Sequence, residues 1–159
     1  AAASAGGRVA NFPAVAESEE QEPAGLCDAL GVEPVYLGSN GMDILVEVAS
    51  REILQAMTPD FGLLASVETR CVMVTCRGDD QYDFYSRFFA PQAGIDEDPV
   101  TGSAHCCLAP YWAKKHDKES MVGFQCGERT GVVKVRYAGD RVFLSGTAVT
   151  VVEGSVREP

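Results

Sequence analysis

The sequence predicts an α+β fold in which a highly curved, mostly antiparallel sheet is wrapped around one central apolar helix. Three observations carry this expectation. Residues 101–115 read as a helix whose first three turns contain no charged residue, so it needs cover on most sides. Most of the remaining chain alternates short β-rich runs with Gly, Asn and Asp turns. The length of 159 residues suits one domain, which removes roughly two-thirds of its unfolded surface from water without needing disulfides or metal.

The elements follow in order. Residues 1–22 are expected to be loosely ordered, because an acidic run (Glu17, Glu19, Glu20, Glu22) precedes Pro23; a short strand is expected within them over 9–15. Residues 23–159 are expected to form the single domain. A short helix follows Pro23, with Leu26, Cys27 and Leu30 on one face and Gly31 placed as a C-cap. β-Rich residues 32–37 and the alternating Ile44, Val46 and Val48 of 42–48 flank Asn40-Gly41, a hairpin signature. Ser50 is placed to cap a helix over 51–57 that ends at Thr58-Pro59, and a second short helix is expected over 59–64. Strands are expected over 69–76 and 82–89 around a turn at Gly78-Asp79-Asp80, then a loop over 92–100 and the long helix. Pro110 inside that helix must kink it or leave a neighbouring carbonyl without its helical partner. Strands over 121–126, 132–137, 141–144 and 148–156 complete a set of seven or eight, the last two separated by a turn at Ser145-Gly146.

Composition excludes several classes. Thirteen Lys and Arg against 23 Asp and Glu give a net charge of −10, which repels nucleic-acid backbones and acidic membrane surfaces. The densest cationic stretch, Lys114, Lys115 and Lys118, is interleaved with Asp117 and Glu119. No apolar run approaches the ~20 residues of a membrane helix. Residues 1–7 lack the features of a signal peptide, and the absence of an initiator Met suggests a processed product or a fragment. The six cysteines form no Cys-x-x-Cys pair and have mostly apolar neighbours; they are expected to be buried, reduced thiols in a cytoplasmic protein. Two histidines are too few for a His-rich metal site.

The segment Gly94-Ile95-Asp96-Glu97-Asp98-Pro99-Val100-Thr101-Gly102-Ser103-Ala104-His105 holds the chemistry. Three carboxylates stand directly before the apolar helix, and Thr-Gly-Ser occupies its start. The first N–H groups of a helix lack intrahelical partners and sit at the positive end of its dipole. Gly102 admits close approach, and Thr101 and Ser103 add hydroxyls, so the segment suits a carboxylate or phosphate. The residues are equally consistent with Thr101 or Asp98 acting only as a cap. His105, Tyr111 and Trp112 fit the core better than catalysis or stacking. Arg87 is expected to face out or to pair with Asp96, Glu97 or Asp98. Gln125 and Arg129 bracket a turn that can face the same end of the domain.

The run Asp83-Phe84-Tyr85-Ser86-Arg87-Phe88-Phe89-Ala90-Pro91, followed by Gly94-Ile95 and Glu97-Asp98-Pro99-Val100-Thr101-Gly102-Ser103-Ala104-His105, resembles the signature of the phenazine-biosynthesis-like (PhzF-like) isomerases. Leu108-Ala109-Pro110-Tyr111-Trp112, Phe124-Gln125-Cys126 and Arg129 extend the resemblance, which runs from about residue 9 to the end. It implies one half of a diaminopimelate-epimerase-like fold, in which two similar halves place the active site between their helix N-termini. It also implies proton transfer without a cofactor on a small carboxylate-bearing substrate. Asp98 then matches the family's active-site Asp, Gly102 and Ser103 match its substrate binders, and Thr101 has a supporting role.

The family's Ser-Glu-Thr motif, whose Glu is the main acid/base, and its Gly-His pair are not found in residues 1–80. The resemblance therefore implies a C-terminal half only, inactive or nearly so by itself. Its missing face is expected to be covered by an N-terminal half or by a second copy in a homodimer. The competing expectation is a non-catalytic binding or interaction module of the same fold that pairs through its apolar face.

Overall fold

The structure, a computed structural model, describes residues 6–148, 151–155 and 157. Ten strands among them form one large curved sheet: β1 (Gly6–Pro13), β2 (Ser18–Glu19), β3 (Tyr36–Ser39), β4 (Asp43–Glu47), β5 (Cys71–Arg77), β6 (Phe84–Ala90), β7 (Ile95–Glu97), β8 (Ser120–Gln125), β9 (Gly131–Ala138) and β10 (Arg141–Ala148). The order across the sheet is β1-β10-β9-β8-β6-β5-β4-β3-β2, with β7 added on β6. The helices are α1 (Leu26–Leu30), α2 (Arg51–Ala56), α3 (Phe61–Leu64) and α4 (Gly102–His116).

All pairings are antiparallel except β4 with β5 and β6 with β8. Parallel neighbours need a crossover; α2 and α3 make the first and α4 the second. The crossovers feed two cores. Leu45, Met73, Phe84 and Phe88 join the core of α4, whereas Ile44, Val46, Val72, Val74 and Phe89 join that of α1, α2 and α3. Successive residues of β5 and β6 thus enter opposite cores, so both strands are buried almost throughout instead of alternating with solvent.

Local chemistry explains the short elements. Ser50 and Asp60 cap α2 and α3 by accepting from the N–H groups of Ile53 and Leu63. Asn40 Oδ1 accepts from the N–H groups of Met42 (3.0 Å) and Asp43 (2.8 Å) and turns β3 into β4, with Gly41 in the left-handed region. In α4, charge appears only in the last turn, where Lys114 and Lys115 meet the negative end of the dipole.

The structure departs from the sequence expectation at both ends. The segment expected to be loosely ordered with a short strand over 9–15 contains β1 over Gly6–Pro13, paired residue for residue with β10 from Gly6 with Ala148 to Pro13 with Arg141. The expected turn at Ser145-Gly146 lies inside β10, since Ser145 pairs with both Val9 and Lys134. Of the strand expected over 148–156, Ala148 ends β10 and 151–155 form no strand, while 149, 150 and 156 lie outside the described residues. The loop over 92–100 contains a 3-10 turn at Pro91–Ala93 and β7.

Pro110 offers no N–H to the carbonyl of Cys106 one turn earlier. That carbonyl accepts instead from the N–H of Val15 at 3.0 Å, just after β1. Beneath α4, the Trp112 ring N–H donates to Thr75 Oγ1 (3.0 Å), whose hydroxyl donates to the Tyr85 carbonyl (2.7 Å). The Phe84 ring stacks on Trp112 and lies over Gly123, where an added Cβ would stand 2.5 Å from it. Among the described residues no helix is long and apolar enough to cross a membrane. Gly123→Ala is expected to lower stability by about 1–3 kcal/mol through overpacking against Phe84, read as a reduced urea midpoint.

Candidate active site

β6 positions the acidic segment. Arg87, 9% exposed, forms a two-pronged ion pair with Glu97 (Nε to Oε1 2.7 Å, Nη2 to Oε2 2.8 Å). Its Nη1 donates to the carbonyls of Leu54 (3.2 Å) and Met57 (2.8 Å), tying β6 and β7 to the end of α2. Of the three carboxylates open to Arg87 in the sequence, the middle one is its partner. The Asp98 N–H then donates to the Phe88 carbonyl at 3.0 Å, which fixes the backbone where the chain leaves β7.

Between Asp98 and α4 the polar groups are joined. The Thr101 hydroxyl donates to Asp98 Oδ2. Gln125, 1% exposed, accepts from the Thr101 N–H (3.0 Å) and donates to the Asp98 carbonyl (2.6 Å) and to Thr101 Oγ1 (3.2 Å). With Thr101 so engaged, no side chain caps α4. Neither Thr101 nor Asp98 caps the helix, so the cap expected as one alternative is not formed. Gly102 and Ser103, at the start of α4, are exposed.

The four residues singled out in the sequence do not share one cavity in this chain. Asp98 lines a cleft of about 660 Å³ with Phe61, Pro99, Gly127 and Arg129. Gly102 and Ser103 line another of about 270 Å³ with Phe12, Met42 and Arg70. Thr101 is buried and bonded to Asp98, so it links the first group to the second through the chain. Arg129 lies on the Asp98 side, at the end of the domain suggested by its place in the turn.

Two features escape sequence reasoning. Gln125 appeared only as one side of a turn, although Met121, Gly123 and Gln125 occupy the buried positions of β8. A glutamine on such a face must find partners inside the protein. The second is the ion pair of Arg70 with Asp43 (Nε to Oδ1 2.7 Å, Nη2 to Oδ2 2.5 Å), which puts a half-exposed guanidinium beside Gly102 and Ser103. It joins residues 27 apart, and no local pattern marks it.

His105 is fully buried. Its Nδ1 lies 2.7 Å from the Thr101 carbonyl, which can only accept, so Nδ1 carries the proton and Nε2 is a bare acceptor. Among the described residues Nε2 has no protein partner, and burial holds the imidazole pKa below its ordinary value. Tyr111 donates to Glu47 (2.6 Å) and packs edge-on to Trp112, a core role for both rings. All six cysteines are free thiols, and burial pushes Cys27, Cys76 and Cys107 up to about 12, which makes them poor nucleophiles. Among the described residues no three His, Cys, Asp or Glu side chains gather to hold a metal ion.

The chain matches the model of the phenazine biosynthesis-like protein family over residues 10–154. It is 47% identical over 149 residues to an uncharacterized isomerase of Pseudomonas aeruginosa, covering 94% of this chain and 57% of that protein. With an uncharacterized isomerase of Halalkalibacterium halodurans the identity is 43% over 148 residues, covering 92% and 56%. A PhzF-family protein of Enterococcus faecalis superposes with a TM-score of 0.84 at 30% identity, covering 90% of this chain and 55% of that one. The chain spans a little over half the length of the relatives it matches.

Two outcomes are expected. Gln125→Ala leaves the Thr101 N–H and the Asp98 carbonyl unpaired in the interior, and is expected to cost about 1–3 kcal/mol in chemical denaturation. His105 binds its proton less readily when folded than when unfolded, so protons favour the unfolded chain below pH 6.5. Stability is therefore expected to fall as pH drops below about 6.5, and His105→Gln to show a shallower fall in parallel urea titrations.

Proposed function

We propose that this chain, which belongs to the phenazine biosynthesis-like family, is the C-terminal half of an isomerase that moves a proton on a small carboxylate-bearing substrate without a cofactor. One observation carries the reading: α4 begins without a side-chain cap, next to an Asp98 whose carboxylate and backbone are both held. Asp98 gives or takes the proton at carbon, and the Thr101 hydroxyl orients the carboxylate while it does so. The first-turn amides at Gly102 and Ser103 hold the substrate carboxylate and the negative charge that develops on it. Thr101 supports the site and does not itself bind the proton in flight.

In this reading a second lobe faces α4, as in the diaminopimelate-epimerase-like fold, where each half wraps its sheet around a central helix. That lobe is the N-terminal half or a second copy of this chain. It supplies the principal acid/base and roofs the Asp98 and Gly102 clefts into one chamber. Exposed Phe12 and Met42 beside Gly102 give it apolar surface to cover, which supports such pairing. A cytoplasmic setting fits the six free thiols.

The test is deuterium uptake from D2O into a panel of small carboxylates bearing an acidified C–H. This chain alone is expected to exchange about 10²- to 10⁴-fold more slowly than a full-length family member, because it lacks the second acid/base. Asp98→Asn is expected to remove the remaining exchange. Exchange that survives Asp98→Asn undiminished, or a full-length relative indifferent to the same change, overturns the assignment.

A further inference from the structure

We propose that His105 is a positioning residue that locks Thr101, and through Thr101 the Asp98 carboxylate; its bearing on proton transfer rests on the function proposed above. The start of α4 lacks the ordinary device for holding a helix end. Thr101 is extended (φ −110°, ψ 111°) and occupies the N-cap position, yet its hydroxyl is engaged by Asp98 instead of a first-turn amide. Its carbonyl accepts the main-chain N–H of His105 at 3.3 Å, a long bond. The ring N–H of the same residue reaches that carbonyl at 2.7 Å and is the firmer hold.

With this contact every polar group of Thr101 is engaged. Gln125 takes the N–H, Asp98 and Gln125 share the hydroxyl, and His105 takes the carbonyl. Rotation of the Thr101 backbone, which would swing the hydroxyl off Asp98, therefore breaks bonds on three sides. The imidazole is itself immobilised. Its ring centroid lies 5.9 Å from that of Phe84, and Phe84 is confined by Gly123 and Trp112.

A mere space-filler at this position has no reason to be histidine. Among the described residues Nε2 is buried with no protein partner, a state that destabilises a fold and that leucine or phenylalanine avoids. The ring N–H directed at Thr101 is the return for that cost. Burial disfavours the charged imidazole, and its Nδ1–H is directed at the Thr101 carbonyl, so the ring serves as a neutral donor.

The test reads the Thr101 hydroxyl proton of this chain by NMR, assigned by its loss in Thr101→Val. The hydroxyl is expected to exchange slowly in the unaltered protein. His105→Leu, which has no donor, is expected to accelerate that exchange at least ~10-fold by easing local opening. His105→Gln, whose amide can reach the carbonyl one turn back, is expected to restore it to within about threefold. A general loss of stability does not separate Leu from Gln in this way. An unprotected hydroxyl in the unaltered chain, equal acceleration by both substitutions, or no effect of either overturns the proposal. Should His105→Leu not fold, the imidazole ¹⁵N spectrum together with His105→Gln decides: a proton on Nε2, or rapid hydroxyl exchange in the Gln variant, counts against it. If Asp98 takes no part in proton transfer, these exchange rates are unaffected, so the two readings fail separately.

Discussion

A single buried carboxamide, that of Gln125, joins the end of β8 to the segment that leads into α4. The constraint it answers is general: a loop passing from a sheet edge into a buried helix carries N–H and C=O groups that water cannot reach. Gln125 satisfies one donor and one acceptor of that loop at once, and adds a bond to the Thr101 hydroxyl. The backbone at Asp98 and the N–H and hydroxyl of Thr101 are held at this junction. The Thr101 hydroxyl is free to serve Asp98 because Gln125 already holds the Thr101 backbone.

The acidic segment shows how one sequence feature divides into different roles. Asp96, Glu97 and Asp98 are adjacent in the chain and line one cleft, but they take different partners. Glu97 neutralises Arg87 between β6 and the end of α2. Asp98 turns toward Thr101, and its carboxylate is left beside a cleft with only a hydroxyl partner among the described residues. The guanidinium and the carboxylate needed for architecture are thus paired with each other, while among the described residues the neighbouring carboxylate has no cationic partner.

What the sequence discloses depends on the range of the forces involved. The long helix was legible because the absence of charge over three turns is a local signal, and the Asn40-Gly41 turn because its geometry is encoded in two residues. β1 was not legible as part of the sheet, since its partner is more than a hundred positions away; Arg141 bonds Asn11 across 130 residues. The site divides in the same way. Asp98, Thr101, Gly102 and Ser103 stand together in a motif, whereas Gln125 and the Arg70–Asp43 pair come from distant strands. The motif fixed which groups are present, and only tertiary packing decided that Asp98 and Gly102 open onto different clefts.

Pro110 is an interruption in the α4 hydrogen-bond ladder, and the vacant Cys106 carbonyl is taken by Val15. The chain that leaves β1 is therefore tethered to the helix about one turn below Gly102. One main-chain bond thereby joins the segment after the edge strand to the helix whose exposed start is Gly102 and Ser103. The proline thus gives the edge of the sheet a direct main-chain hold on the helix.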